Sequence, residues 1–168
     1  MTVKERLEFI FGGAAVTRFH VESYIKPQTD GAHSFGVAWL CWLLSGGAPS
    51  LDLIMAALAH DLAERLAGDV PATAKYADAA LAAALDGLEA RHLRAAGLEF
   101  GLDEGGRAVL ALADRMEGML YAVSERRLGN RNAEAWYRRY RASLPAGLSG
   151  AAAEALNAID RMMTEAIL

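Results

Sequence analysis

Apolar positions along the 168 residues recur every three or four places, and no clear stretch keeps the two-residue alternation of a half-buried strand. Short Gly, Pro and Asp runs punctuate the pattern, which predicts an all-α chain. The first helix is expected from about Thr2, a capping residue, to Ala15 or Val16, with Leu7, Ile10, Phe11 and Ala14 as its buried stripe. After a loop containing SYIKPQTDG, a second helix begins near Ala32. It carries Phe35, Val37, Ala38, Trp39, Leu40, Trp42 and Leu43, apolar on nearly every face, which predicts a central core helix. SGGAPS ends it. A third helix starts after Pro49 or Ser50, runs through His60 toward Ala67, and stops at Gly68 ahead of Asp69 and Pro71. Residues 72 to 96, 103 to 127, 131 to 143 and 148 to 167 supply the remaining helices, in a single-domain bundle over residues 1 to 168.

Composition narrows the function more than the fold. With 54% apolar residues the chain can bury a substantial core without staples. Its 17 basic against 21 acidic residues, net charge −4, argue against a nucleic-acid polymer or an anionic membrane as partner. Cys41, the one cysteine, lies within FGVAWLCWLL and reads as a buried reduced thiol. No apolar run approaches the length of a membrane span, and MTVKERLEF has charges where a secretory leader needs apolar residues, so a cytoplasmic protein is expected.

The chemistry concentrates in LIMAALAHDLAERLAGDVP, residues 53 to 71, where an apolar helix turns acidic at His60, Asp61, Glu64 and Asp69. On a continuous helix His60 and Glu64 share one face, with Asp61 about 100° away. Such an arc can surround an ion; the competing reading puts Asp61, Glu64 and Arg65 on a solvated face. Asp114 poses the same question. Its helical neighbours Leu110, Ala111, Glu117, Gly118 and Tyr121 are mostly apolar or small, so the carboxylate is expected either at a cation or paired with Arg107 or Arg115. Together with His33, the residues His60, Asp61 and Asp114 make a two-nitrogen, two-oxygen set that leaves positions open for water and substrate, as a hydrolytic metal site requires.

The ordered series TRFH, QTDGAHSFGVA, HDLAERLAGDVPATAKY and ADRMEG, from Thr17 to Gly129, resembles the HD-domain phosphohydrolases. The similarity is to the small branch that holds 5′-deoxynucleotidases and phage deoxynucleoside triphosphohydrolases. That resemblance implies that His33, His60, Asp61 and Asp114 hold one divalent ion (Co, Mn, Zn or Mg), that Glu64 relays a proton beside it, and that Asp69 positions water or sugar at the pocket mouth. It also implies phosphate contacts from Arg18 and Lys75, and a sugar or base wall made by Phe19 and Val21. His20 stands close to Arg18 and His92 reads as a surface helix residue. Relatives have Glu before the first ligand His, where this chain has Ala32, so a group that braces the imidazole is missing from its usual place.

The expected activity is metal-dependent hydrolysis of deoxynucleotides. The phage-like RFHVESYIKPQTDGAHSFGVAW favours a triphosphohydrolase that prefers dATP and releases nucleoside and triphosphate, with Lys26 and Arg65 as further candidates for the phosphate tail. The alternative is a 5′-deoxynucleotidase acting on dNMPs. A two-metal phosphodiesterase or oxygenase would need more histidines than the chain supplies after the HD pair, and a nonenzymatic helical module would use the same charges as ion pairs. Relatives commonly assemble, so a homo-oligomer is expected.

Overall fold

The computed structural model describes residues 1–167. They form eight α-helices: α1 (Val3–Ala14), α2 (Asp30–Leu44), α3 (Leu51–Ala59), α4 (Ala72–Ala77), α5 (Ala79–Ala96), α6 (Glu104–Arg127), α7 (Ala133–Ser143) and α8 (Gly150–Ile167). A 3₁₀ turn, Leu62–Arg65, separates α3 from α4, and among the described residues the one strand-like feature is an isolated bridge between Thr17 and Thr29. The expectation of an all-α chain holds.

Local chemistry sets the boundaries. Thr2 caps α1 in a reciprocal capping box with Glu5, Thr29 caps α2, Ser50 caps α3 and Asp103 caps α6. The side chain of Asp78 caps α5 and divides the expected helix over residues 72 to 96 in two. Gly97 ends α5 in a left-handed conformation that glycine adopts without steric cost.

The long helix α6 is the hub: α2, α7 and α8 pack along it and α3 touches it. Val37, Leu40, Cys41, Leu53, Ala57, Ala113, Met116, Met119, Trp136 and Ile159 fill the main core. Phe9, Ala59, Leu62, Ala63 and Ala96 form a smaller one where α1 and α5 close on the 3₁₀ turn.

Three expectations are corrected. The buried face of α1 is Phe9 and Gly13; Leu7 and Phe11 are exposed, because α1 packs on the 3₁₀ turn so closely that a Cβ at Gly13 would collide with the Leu62 backbone. The third helix does not continue through His60, but ends at Ala59 and tightens into the 3₁₀ turn, so Leu62 and Ala63 face the smaller core. Finally, α2 is not enclosed on all sides. Val37, Leu40 and Cys41 are buried, whereas Phe35, Trp39, Trp42 and Leu43 face outward.

The 15-residue connection between α1 and α2 is pinned rather than loose. Buried Glu125 of α6 accepts from the backbone N–H groups of Ile25 (2.6 Å) and Lys26 (2.8 Å), and Tyr121 donates to the Lys26 carbonyl (2.8 Å). Asn130 donates to the Ser23 carbonyl, and Trp136 donates to Glu22. Satisfying the polar groups of the connection in this way fixes the residues at its start, Arg18 and Phe19.

Candidate metal centre

The donors meet where α2, the end of α3 and α6 converge. His33 Nε2 lies 3.3 Å from His60 Nε2, 3.5 Å from Asp61 Oδ2 and 3.1 Å from Asp114 Oδ1, and His60 Nε2 lies 3.3 Å from Asp61 Oδ2. His60 keeps right-handed helical dihedrals (φ −58°, ψ −36°), and the chain departs from regular α-helical geometry at Asp61. The Asp61 backbone (φ −99°, ψ −1°) is in the bridge region, which swings the carboxylate back toward the imidazole beside it.

Both rings are oriented through their other nitrogen. Nδ1 of His60 donates to the Ala57 carbonyl (2.8 Å), and Nδ1 of His33 bonds Glu117 Oε2. With both Nδ1 atoms carrying hydrogen, both Nε2 lone pairs point into the same small space alongside carboxylate oxygens. Such a convergence of electron pairs is repulsive unless a cation or proton lies among them. Bonds of about 2.0–2.1 Å to a tetrahedral ion place neighbouring donors about 3.3 Å apart, the spacing found here among His33, His60 and Asp61, while the described contact of Asp114 is with His33. The donor set therefore fits one divalent ion of the borderline class that takes imidazole and carboxylate together.

Glu117 supplies the brace that Ala32 does not. It is buried, and its second oxygen accepts from Gln28 Nε2 (2.7 Å). Gly36 makes this approach possible, since a Cβ there would sit 2.8 Å from Glu117 Cγ. Asp114 bonds His33 and pairs with neither Arg107 nor Arg115 among the described contacts; His33 holds its carboxyl down at about 2, against the burial that would raise it. For His33 burial disfavours the charged ring, but Asp114 and Glu117 outweigh it and push the imidazole up to about 9.

A second acidic group shares Asp61. Oxygens of Asp30, Asp61 and Glu64 lie within 4.8 Å of one another. Glu64 is 5% exposed, so the reading of it as a surface charge is excluded, while Arg65 is exposed and bonds the Glu8 carbonyl. Burial, then Asp61 and Asp30, push the Glu64 carboxyl up to about 10; burial and Asp61 push Asp30 up to about 7, against Arg18. Glu64 Oε2 and both Asp30 oxygens have no hydrogen-bond partner.

Arg18 is the cation facing this cluster. It is 8% exposed, with Nη1 2.5 Å from Asp61 Oδ2 and 3.7 Å from Asp30 Oδ1. Burial disfavours its charge, but Asp61 and the other surrounding acids raise its pKa above the ordinary guanidinium value. Its Nε remains an unpartnered buried donor.

Phe19 has a left-handed backbone (φ +57°), a conformation of about 1 kcal/mol or more in cost for a bulky residue. Asp69 Oδ2 accepts from its N–H (2.9 Å), and its ring packs among Tyr121 (4.8 Å), Trp136 (5.5 Å) and Tyr140 (6.3 Å). Core packing thus accounts for much of this side chain. Tyr140 in turn lies over Gly118, where a Cβ would fall 2.5 Å from the ring. Burial pushes its hydroxyl up to about 12, and Arg18, Asp114 and Asp69 all lie within its electrostatic reach.

Of the other sequence-derived candidates, Val21 is exposed, His20 is exposed and His92 is part-buried near the start of α1. Lys75 is part-buried on α4, close enough to Glu89 to oppose, without reversing, the burial that pushes that carboxyl up; Asp61 and His60 also act on Glu89. No described contact joins Lys75 or Val21 to the donor cluster.

Residues 16–143 match the family model for the HD domain. The chain belongs to the HD-domain family. Its fold is shared by two solved structures. One is the HD phosphohydrolase DatZ of cyanophage S-2L, bound to dA and one catalytic Zn²⁺ ion, with 22% identity over 98% of each chain and a TM-score of 0.69. The other is the PH0347 protein of Pyrococcus horikoshii OT3, 21% identical over 95% of this chain and 99% of that one, with a TM-score of 0.74. A comparison with curated proteins finds no significant match. No described helix of this HD-domain chain is long and apolar enough to cross a membrane.

Proposed function

We propose that this HD-domain protein hydrolyses deoxynucleotides at the His33–His60–Asp61–Asp114 centre, with deoxynucleoside triphosphates, dATP foremost, as substrates. The observation that carries the reading is the meeting of two imidazole nitrogens and the Asp61 carboxylate at 3.3–3.5 Å, with Asp114 3.1 Å from one of the rings and a buried guanidinium against Asp61. The dA and the catalytic zinc bound to DatZ support a deoxyadenosine nucleotide as the ligand class.

A divalent ion in this donor set supplies Lewis acidity toward a phosphoryl oxygen and toward water. The chain does the rest. Arg18 offers fixed positive charge to a phosphate, and the salt bridge to Asp61 keeps the guanidinium from swinging out. Glu64 holds a proton that it gives to the leaving oxygen, and the carboxylate so formed takes one back from water. Phe19, with Val21 beyond it, forms the apolar wall for sugar and base, Asp69 fixes the Phe19 backbone, and Lys75 adds charge for a phosphate tail.

The test is a panel of dNTPs and dNMPs with Co²⁺, Mn²⁺, Zn²⁺ and Mg²⁺, with products separated. Nucleoside plus tripolyphosphate from dATP is the expected result. Phosphate release from dNMPs alone would replace this reading with that of a 5′-deoxynucleotidase, and inertness toward both would end it.

A further inference from the structure

Helix α2 is apolar on both sides, yet the fold covers only one. Its outer side carries Ala32, Phe35, Trp39, Trp42 and Leu43, all exposed, at spacings of three, four, three and one. At about 100° per residue these five fall within an arc of about 100°. The three-four-three spacing is that of a helix–helix seam. Phe35 is 62% exposed, Trp39 56%, Trp42 44% and Leu43 44%, so two of the three tryptophans in the chain lie on this stripe. The aromatic rings stack edge to face along it, Phe35 on Trp39 at 6.3 Å and Trp39 on Trp42 at 5.8 Å. Trp42 also covers Gly47, which extends the patch into the following turn.

From Gly31 to Leu51 the chain has no Asp, Glu, Lys or Arg. A membrane-docking amphipathic helix would be expected to carry basic residues beside its apolar stripe, and α2 itself has none. A partner protein of opposite charge has nothing to read. An identical charge-free stripe, by contrast, meets no mismatch across a two-fold axis. Three half-exposed aromatics and a leucine offer on the order of 400 Å² per molecule, about half of the roughly 800 Å² each partner buries in a standard interface. Exposed Leu51, at the start of α3, and Ala32 are placed to supply part of the remainder.

We propose that the Phe35–Trp39–Trp42–Leu43 stripe of α2 is a homo-oligomer interface, in which α2 of one molecule packs on α2 of a second copy. His33 projects from the opposite side of the helix, where it is fully buried, so the pairing leaves the metal centre uncovered. Trp39 occupies the middle of the stripe, and a two-fold axis through that middle, which buries the whole stripe, brings the two Trp39 side chains together.

Sedimentation velocity on the full chain, over a dilution series, should show a dimer or a multiple of it. Trp39→Arg should sediment as a monomer with wild-type helix content by circular dichroism. Trp136 is 1% exposed, so dilution should red-shift tryptophan emission through Trp39 and Trp42 alone. As a check that does not depend on tolerance of an arginine, Trp39→Cys should form a disulfide-linked dimer on mild oxidation, whereas Ala90→Cys, exposed on α5, should not. A wild-type monomer at every concentration overturns the proposal. So does a Trp39→Arg variant that assembles like wild type, a Trp39→Cys variant that fails to cross-link, or binding to neutral phospholipid vesicles in place of self-association.

Discussion

Glu117 on α6 takes hold of the Nδ1 hydrogen of His33 on α2, and Gln28 holds the other oxygen of the same carboxylate. The order Gln28–Glu117–His33 ties the inter-helix connection, the hub helix and the first ligand into one buried line. The carboxylate fixes the ring tautomer and raises the basicity of Nε2, which faces the donor cluster. Glu117→Gln keeps the shape but loses the charge, and should weaken divalent-ion affinity about 10- to 100-fold. Competition titration against a metal-sensitive dye reads this directly. Gly36→Ala should have a similar effect by displacing Glu117, with little change in residues that touch the ion.

The metal-free protein should lose stability as pH rises from about 6 to 9. His33 in the folded state holds its proton up to about 9, above the ordinary value near 6.5. Its contribution is fully present below 6.5 and is lost as pH rises through the folded value. Glu64, raised to about 10, and Asp30, raised to about 7, act in the same direction, because the folded state binds their protons more tightly than the unfolded one. Asp114, lowered to about 2, works oppositely and only in strong acid. Melting curves across this range, recorded after chelation, should show Tm falling toward high pH. Loading a divalent ion near pH 7.5 should release about one proton, from His33, seen calorimetrically as a dependence of binding heat on buffer ionisation enthalpy.

Glu64 should separate turnover from metal retention. Glu64→Gln removes the transferable proton but no donor of the His33–His60–Asp61–Asp114 set, so the ion stays while kcat falls about 10²- to 10⁴-fold. The same substitution replaces a buried ionisable group, crowded by Asp61 and Asp30, with a neutral isostere. The metal-free variant should accordingly melt about 2–4 °C higher, equivalent to about 1 kcal/mol. Asp61→Ala, by contrast, should lose both metal and activity. Full activity in Glu64→Gln would remove this residue from the proton path.

The parts of the site that were legible in the sequence are those whose chemistry is local. His60 and Asp61 are adjacent, Asp114 stands on a helix among apolar neighbours, and the order of motifs that joins them to His33 gave the resemblance. What stayed hidden depends on approach between distant segments. Glu117 looks like one more charge on α6 until Gly36 is seen to admit it, and Asp30 looks like a helix-starting aspartate until the structure buries it beside Glu64. The outward stripe of α2 failed for another reason: an apolar pattern reports that a face wants burial, not which molecule provides it. The missed end of α3 is a case of tertiary demand, since the burial of Leu62 and Ala63 against α1 and α5 favours the tighter 3₁₀ turn.

Asp69 presents a choice between anchoring and chemistry that one pair of variants can decide. Its Oδ2 accepts from the Phe19 N–H, which holds a left-handed residue whose neighbour, Arg18, points into the cluster. An asparagine can accept the same hydrogen bond through its amide oxygen, and an alanine cannot. If anchoring is the whole role, Asp69→Asn should retain kcat within several-fold, while Asp69→Ala should raise KM and lower kcat together as Phe19 relaxes and Arg18 loses its aim. If the carboxylate also orders water or sugar by its charge, both variants should lose kcat alike. The geometry favours the first outcome, because the carboxylate already accepts the Phe19 N–H, and release of the strain at φ +57° gives the alanine variant a reason to rearrange.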